Sequence, residues 1–160
     1  ESLDIMLWAL GQNDPRGLLR MPNNGQTLIA QNDGPFKTAL DRTKYAVRYP
    51  DLDPEAEQTK ASDFIRSLDA RLATQAFLMG DRRTLADLAI FPFVRQFAHI
   101  DRAWFVAQPW PHVILWLDGF LKSAAFMTAM TKIPDWEDGA RPYIFGNTSE
   151  IRANGRKSSQ

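Results

Sequence analysis

Residues 80–90 read GDRRTLADLAI, and the Thr84-x-x-Asp87 step within them constrains the chain more than any other feature. An apolar run follows at once, so a helix starts here and starts in a place meant to be buried. The first N–H groups of such a helix have no intrahelical acceptor. Thr84 at the N-cap can accept from the N–H of Asp87, and the Asp87 carboxylate can reach back to the N–H of Thr84. The two donors are then satisfied reciprocally, as in a capping box. A carboxylate in the first turn also suits the positive end of the helix dipole. Gly80 and Asp81 read as a turn leading into it. Using Asp87 instead as a general acid requires a cleft and a partner group that the sequence does not offer. The pair is therefore read as a folding device, whose Thr cap contributes about 1 kcal/mol.

The remaining segments are read around that helix. Leu85, Leu88, Ala89, Phe93 and Phe97 make it apolar on more than one side, which marks it as central, with Pro92 expected to bend it. Ser2–Gly11 reads as a short helix, and 12–31, rich in Pro, Gly and Asn, as a long connection with a weak turn near Leu28. Asp33 is expected to cap a helix running to about Arg48, with Phe36, Leu40 and Val47 on its inner face. Asp53-Pro54-Glu55 supplies a cap, a first-turn proline and an acid for the next. Ala61, Phe64, Ile65, Leu68 and Leu72 then recur at helical steps, and that helix is expected to end at Gly80. Pro109 and Pro111 introduce a helix carrying Val113, Leu117, Phe120 and Leu121, and Ser123 can cap a short last one to about Thr131. No segment alternates like a strand. The expectation is an all-α fold, a five- to six-helix bundle around one core.

Composition removes several functions. At 160 residues with 44% hydrophobic content, the chain suits one globular domain. Lys plus Arg number 19 and Asp plus Glu number 19, a balance that argues against a dedicated nucleic-acid binder. With no cysteine, disulfides, thiolate metal sites and cysteine catalysis are excluded, and two histidines make a histidine-rich metal site improbable. No apolar run is long enough to cross a bilayer, and no signal peptide is visible. No metal site and no catalytic residue are assigned. The chain begins with Glu1 rather than methionine, which points to a piece of a longer protein.

GDRRTLADLAIFPFVRQF resembles the central helix of the C-terminal domain of glutathione S-transferases, with its Gly-Asp, its Ser/Thr-x-x-Asp box and its proline-bearing apolar helix. PHVILWLDGFLKSAAFMTAM looks like that domain's Trp-containing helix and the short helix after it. NDGPFKTALDRTKYAVRYPD looks like its first helix in bacterial members. Together these cover most of residues 33–132. One departure is Arg83, where the family often has an apolar residue forming a hydrophobic staple against the position of Leu88; Arg83 offers only its methylene stem.

The resemblance implies a domain plan: 1–11 as the last helix of a thioredoxin-like domain, 12–32 as linker, 33–145 as the helical domain and 146–160 as a flexible tail. It implies that Glu1 and Ser2 help hold the γ-glutamyl part of glutathione, Glu1 against the α-amino group and Ser2 with the helix N-terminus against the α-carboxylate. The bland alternative is a helix cap beside a frayed end. The thiol-activating residue lies in the missing domain, so this chain alone is not expected to catalyse conjugation. Its share is one wall of the electrophile pocket, for which the candidates are Phe36, Lys37, Leu40, Lys44, Tyr45, Arg95 and His99. Lys37, Asp41, Lys44 and Arg48 form one charged face, which is either solvated or an attractor of anions; His99 is more often a satisfied surface or core histidine than a catalyst. The implied setting is a cytoplasmic homodimer in bacteria, with glutathione as co-substrate, a small hydrophobic electrophile, and neither nucleic acid nor membrane as partner. The alternative is a non-catalytic protein–protein interaction module of the same fold. An apolar patch on residues 3–10 and part of the central helix is expected where the neighbouring domain would sit.

Overall fold

The computed structural model describes residues 2–133, 135 and 137–139. Their regular secondary structure is helical, with no strand among the described residues beyond an isolated bridge between Phe77 and Gly80. The elements are α1 (Ser2–Gln12), α2 (Asn24–Gln31), a π-helical turn (Asn32–Phe36), α3 (Lys37–Lys44), α4 (Pro54–Leu72), α5 (Leu85–Ala98), α6 (Arg102–Val106), α7 (Pro111–Leu121) and α8 (Ala124–Ala129). By its internal contacts the chain divides after Ala129, and among the described residues all the helices lie in the first unit. The expected tail at 146–160, the end of the helical stretch at 140–145, Glu1 and Trp136 lie outside the described residues.

The helix starts have the chemistry that the sequence announces. Asp53 accepts from the N–H of Glu55 at 3.0 Å with Pro54 in the first turn, and Ser123 Oγ accepts from the N–H of Phe126 at 3.2 Å. At α5 the Thr84–Asp87 box is closed: the N–H of Thr84 donates to the Asp87 carboxylate at 2.9 Å, and the Thr84 hydroxyl lies 3.1 Å from the same oxygen.

Four expectations need correction. Within the stretch read as a linker, residues 24–31 form α2, which runs through the π turn straight into α3, so Asp33 caps nothing. Leu28 and Ile29 are 1% exposed, and that burial overrides the poor propensity of the Asn and Gly around them. The π turn accommodates Pro35: the ring lacks an N–H and would crowd the preceding turn of a regular α-helix, and the wider turn relieves both. Second, α3 stops at Lys44; Ala46–Arg48 tighten into a 3₁₀ turn and Val47 is 93% exposed rather than inward. Third, α4 ends at Leu72, not Gly80. The apolar residues Phe77 to Met79 belong to a tight turn closed by Phe77 N–H to Gly80 C=O at 2.9 Å. Gly80 has φ 128°, a backbone state that side chains rarely tolerate, and this lets the turn push Leu78 fully into the core. Fourth, a short helix, α6, precedes Pro109, capped by Asp101 on the N–H of Trp104 at 2.9 Å.

The core is centred on α5, most of whose residues are buried. Two aromatic groups flank it. Phe36 stacks on Phe64 at 4.7 Å between centroids and meets Phe97 edge-on at 5.9 Å, and Phe97 continues to Trp104 and Phe105. On its other side Phe91 stacks on Phe120 at 4.8 Å, with Trp116 and Phe126 edge-on. Trp110 is fully buried and donates its indole N–H to the carbonyl of Phe105 at 3.0 Å.

Candidate functional site

Asp87 holds more of the molecule together than its box alone requires. One carboxylate oxygen takes the Thr84 pair; the other accepts the N–H of Leu78 at 2.9 Å and the Trp116 indole N–H at 3.1 Å. Four neutral donors converge on a carboxylate with no exposed surface. Such a group is saturated, and it ties together the turn at Leu78, the start of α5 and the anchor of α7. The arrangement is structural.

The seven wall candidates do not share one surface. Phe36 and Leu40 are buried, at 1% and 0% exposure, and pack inside. Lys37 is half-buried, its ammonium 5.6 Å from the Phe93 ring centroid, so it lies between α3 and α5. Lys44 and Arg48 bracket the Tyr45 ring at 4.7 and 4.5 Å. Arg95 belongs elsewhere: two residues after Phe93 it is turned by about 200° around the helix, and its guanidinium lies 5.5 Å from the Phe126 ring. His99 caps the end of α5 and is exposed, with Nδ1 2.8 Å from the carbonyl of Arg95. Lys37, Lys44 and Tyr45 thus stand on or just after α3, with Lys37 over Phe93, while Arg95 is turned toward Phe126 of α8 and His99 ends α5.

A cleft of about 590 Å³ opens between the π turn with α3 and the first half of α4. Phe36 and Phe64 form its apolar floor, and Arg42, Glu57 and Lys60 its charged side. Glu57 is 2% exposed, yet it meets Lys60 in a short hydrogen bond and Arg42 at 3.6 Å. The Lys60 hydrogen bond, with the charges of Lys60 and Arg42, holds its carboxyl below the usual range against the opposing effect of burial. Sequence reading missed this group. Along the sequence Glu57 is one more acid in a first turn, and its pairing depends on Arg42 arriving from another helix.

α1 contributes a further surface. Leu3, Met6, Leu7 and Leu10 pack against the core, while Ile5 and Trp8 on the opposite side are 66% and 68% exposed. Ser2 is exposed at the helix start. The connection after α1 is tied by Asp14, which accepts from the N–H groups of Leu19 and Leu18 at 2.9 and 2.7 Å. The bond from Leu19 is the foremost of the causes that lower its carboxyl pKa. Among the described residues no cluster of His, Asp and Glu could hold a metal ion, and no helix is long and apolar enough to cross a membrane.

Comparison with known proteins places this geometry. The sequence model of the family described as glutathione S-transferase, C-terminal domain, matches residues 39–119. No curated protein matches the sequence. Among solved structures, a glutathione transferase family member from Pseudomonas fluorescens pf-5 with two glutathione bound matches with TM-score 0.67 at 20% identity, covering 80% of this chain and 61% of that one. A glutathione transferase from Burkholderia graminis, with two glutathione molecules bound per subunit, matches with TM-score 0.67 at 20% identity, over 80% of this chain and 57% of that one. The apo form of glutathione S-transferase III matches with TM-score 0.65 at 19% identity, over 86% and 70%. At these identities the likeness is one of fold, and the chain spans about three fifths of the first two structures.

Proposed function

The chain belongs to the glutathione S-transferase family, in its C-terminal domain, and from that premise we propose that it is the helical substrate-binding part of a glutathione transferase. On this reading residues 33–145 form the helical domain, 1–11 the last helix of a thioredoxin-like domain, and α2 the helical end of what joins them. Lys37, Lys44 and Tyr45 face a small hydrophobic electrophile; Phe36 and Leu40 hold that wall from beneath, while Arg95 and His99 serve a different face. Glu1 and Ser2 contribute to glutathione, the co-substrate, and conjugation itself needs the thioredoxin-like domain.

The observation that carries the reading is the two-sided helix α1. A helix with one apolar face packed and another exposed at Ile5 and Trp8 is built to lie between two bodies. The thioredoxin-like domain is the second body. The proposal extends to a bacterial, cytoplasmic homodimer. The bacterial origin of two of the similar structures supports the first attribute, and the cleft along α3 and α4 suits a subunit seam.

Retention on immobilised glutathione, together with conjugation of glutathione to an aryl halide, tests this. The chain joined to its upstream thioredoxin-like domain should be retained and active, and the chain alone neither. In the joined protein Tyr45→Ala should raise KM for the aryl halide more than KM for glutathione. If the joined protein does neither, the transferase reading falls and the same fold as a protein–protein interaction module takes its place.

A further inference from the structure

A second cleft, of about 320 Å³, lies between the end of α4, the turn after it and α7, and none of the seven wall candidates lines it. We propose that it is a binding site for a small planar aromatic carboxylate. Three observations carry this.

The first is Arg83. Its guanidinium carbon lies 4.4 Å from the Phe120 ring centroid and 5.7 Å from that of Phe77. Its Nε is buried without a hydrogen-bond partner, and among the described residues no carboxylate pairs with it. Arg83 lines the cleft, so a ligand meets the rest of its guanidinium edge, and the group that best matches such an edge is a carboxylate. The position was conspicuous in sequence as a charge standing where an apolar staple residue would serve. The structure gives the charge a cleft to face.

The second is the wall. Phe77, Trp116 and Phe120 line the cleft with rings. Trp116 is fixed in orientation because its indole N–H is anchored on Asp87, so this ring surface exists before any ligand arrives. His112, also lining the cleft, is held by Asp69, which lies 3.2 Å from its Nδ1 and accepts the N–H of Val113 at 2.9 Å. A pocket of this volume, at the lower end of about 300–1,000 Å³ for ligand sites, takes a one- or two-ring molecule.

The third is Gly119. Glycine in a helix interior weakens the helix relative to alanine, and here no local feature requires it: its φ is not positive, and a Cβ at this position would meet nothing within 4 Å. Gly119 lines the cleft, so a large side chain placed there would grow into open cleft space.

Titration of the whole chain with 1-naphthoate, followed by the NMR resonance of the Trp116 indole N–H, tests the site, with 1-naphthamide as the uncharged counterpart. Saturable shifts are expected for the acid, with binding at least about tenfold weaker for the amide. Arg83→Met should weaken the acid about ten- to hundredfold, the range for a hydrogen bond to a charged group. Gly119→Leu should abolish binding while leaving Tm unchanged or higher, which keeps the test decisive if Arg83→Met does not fold. Equal affinity for acid and amide, or unchanged binding in Gly119→Leu, would overturn the proposal. So would the absence of any saturable shift with 1-naphthoate.

Discussion

Asp87 and Glu57 are both buried carboxylates, at 0% and 2% exposure, and they are satisfied in opposite ways. Asp87 collects four neutral donors, from Thr84, Leu78 and Trp116, all fixed by backbone or core packing. Glu57 is met by two cations, Lys60 and Arg42, whose side chains are 62% and 39% exposed, and its Oε2 makes no hydrogen bond. Neutral donors at fixed positions specify geometry and respond little to salt. Ion pairs with exposed partners are screened and adjustable. The interior of this molecule therefore serves the fold, and its charged chemistry sits on clefts where something else can arrive.

The largest effect that sharpens this contrast is expected from Asp87→Ala. It strands four buried donors, each costing about 1–3 kcal/mol when unpaired, so a loss of about 4 kcal/mol or more, or failure to fold, should appear in urea denaturation. Gly80→Ala comes next: forcing a side chain to φ 128° should cost about 1–3 kcal/mol. Thr84→Ala removes the cap alone and should cost about 1–2 kcal/mol. Glu57→Gln should cost less than any of these, and its effect should shrink in high salt. Its pH dependence has a definite sign. The folded carboxyl is held below its unfolded value, so its stabilisation is full above about pH 4.3 and is lost as pH falls through the lower folded value. Denaturation of wild type and Glu57→Gln across acid pH should converge at the low end. If Glu57→Gln proved as damaging as Asp87→Ala, the distinction between the two carboxylates would fail.

What could be read beforehand follows the same division. The box at Thr84 and Asp87, the cap at Asp53 and the helical spacing of Ala61 to Leu72 are local signals, and all three are present. The other two partners of Asp87 are 9 and 29 residues away in sequence, so no spacing rule reaches them. α2 was hidden because its sequence is poor in helix formers and only the burial of Leu28 and Ile29 makes it helical. The end of α4 was overrun because Phe77, Leu78 and Met79 continue an apolar pattern while folding as a turn. The wall candidates came from resemblance, and their division between two faces of the bundle follows from helix rotation, visible only once Phe93 and Arg95 have their neighbours.

The two-sided helix α1 is where the functional account is most exposed. The indole resonance of Trp8, identified by its loss in Trp8→Phe, can be followed for solvent hydrogen exchange and paramagnetic broadening, in the chain alone and joined to the thioredoxin-like domain proposed to precede it. A face built to lie between two bodies predicts fast exchange and strong broadening in the chain, where Trp8 is 68% exposed, and clear protection in the joined protein. An indole equally open in both would contradict it.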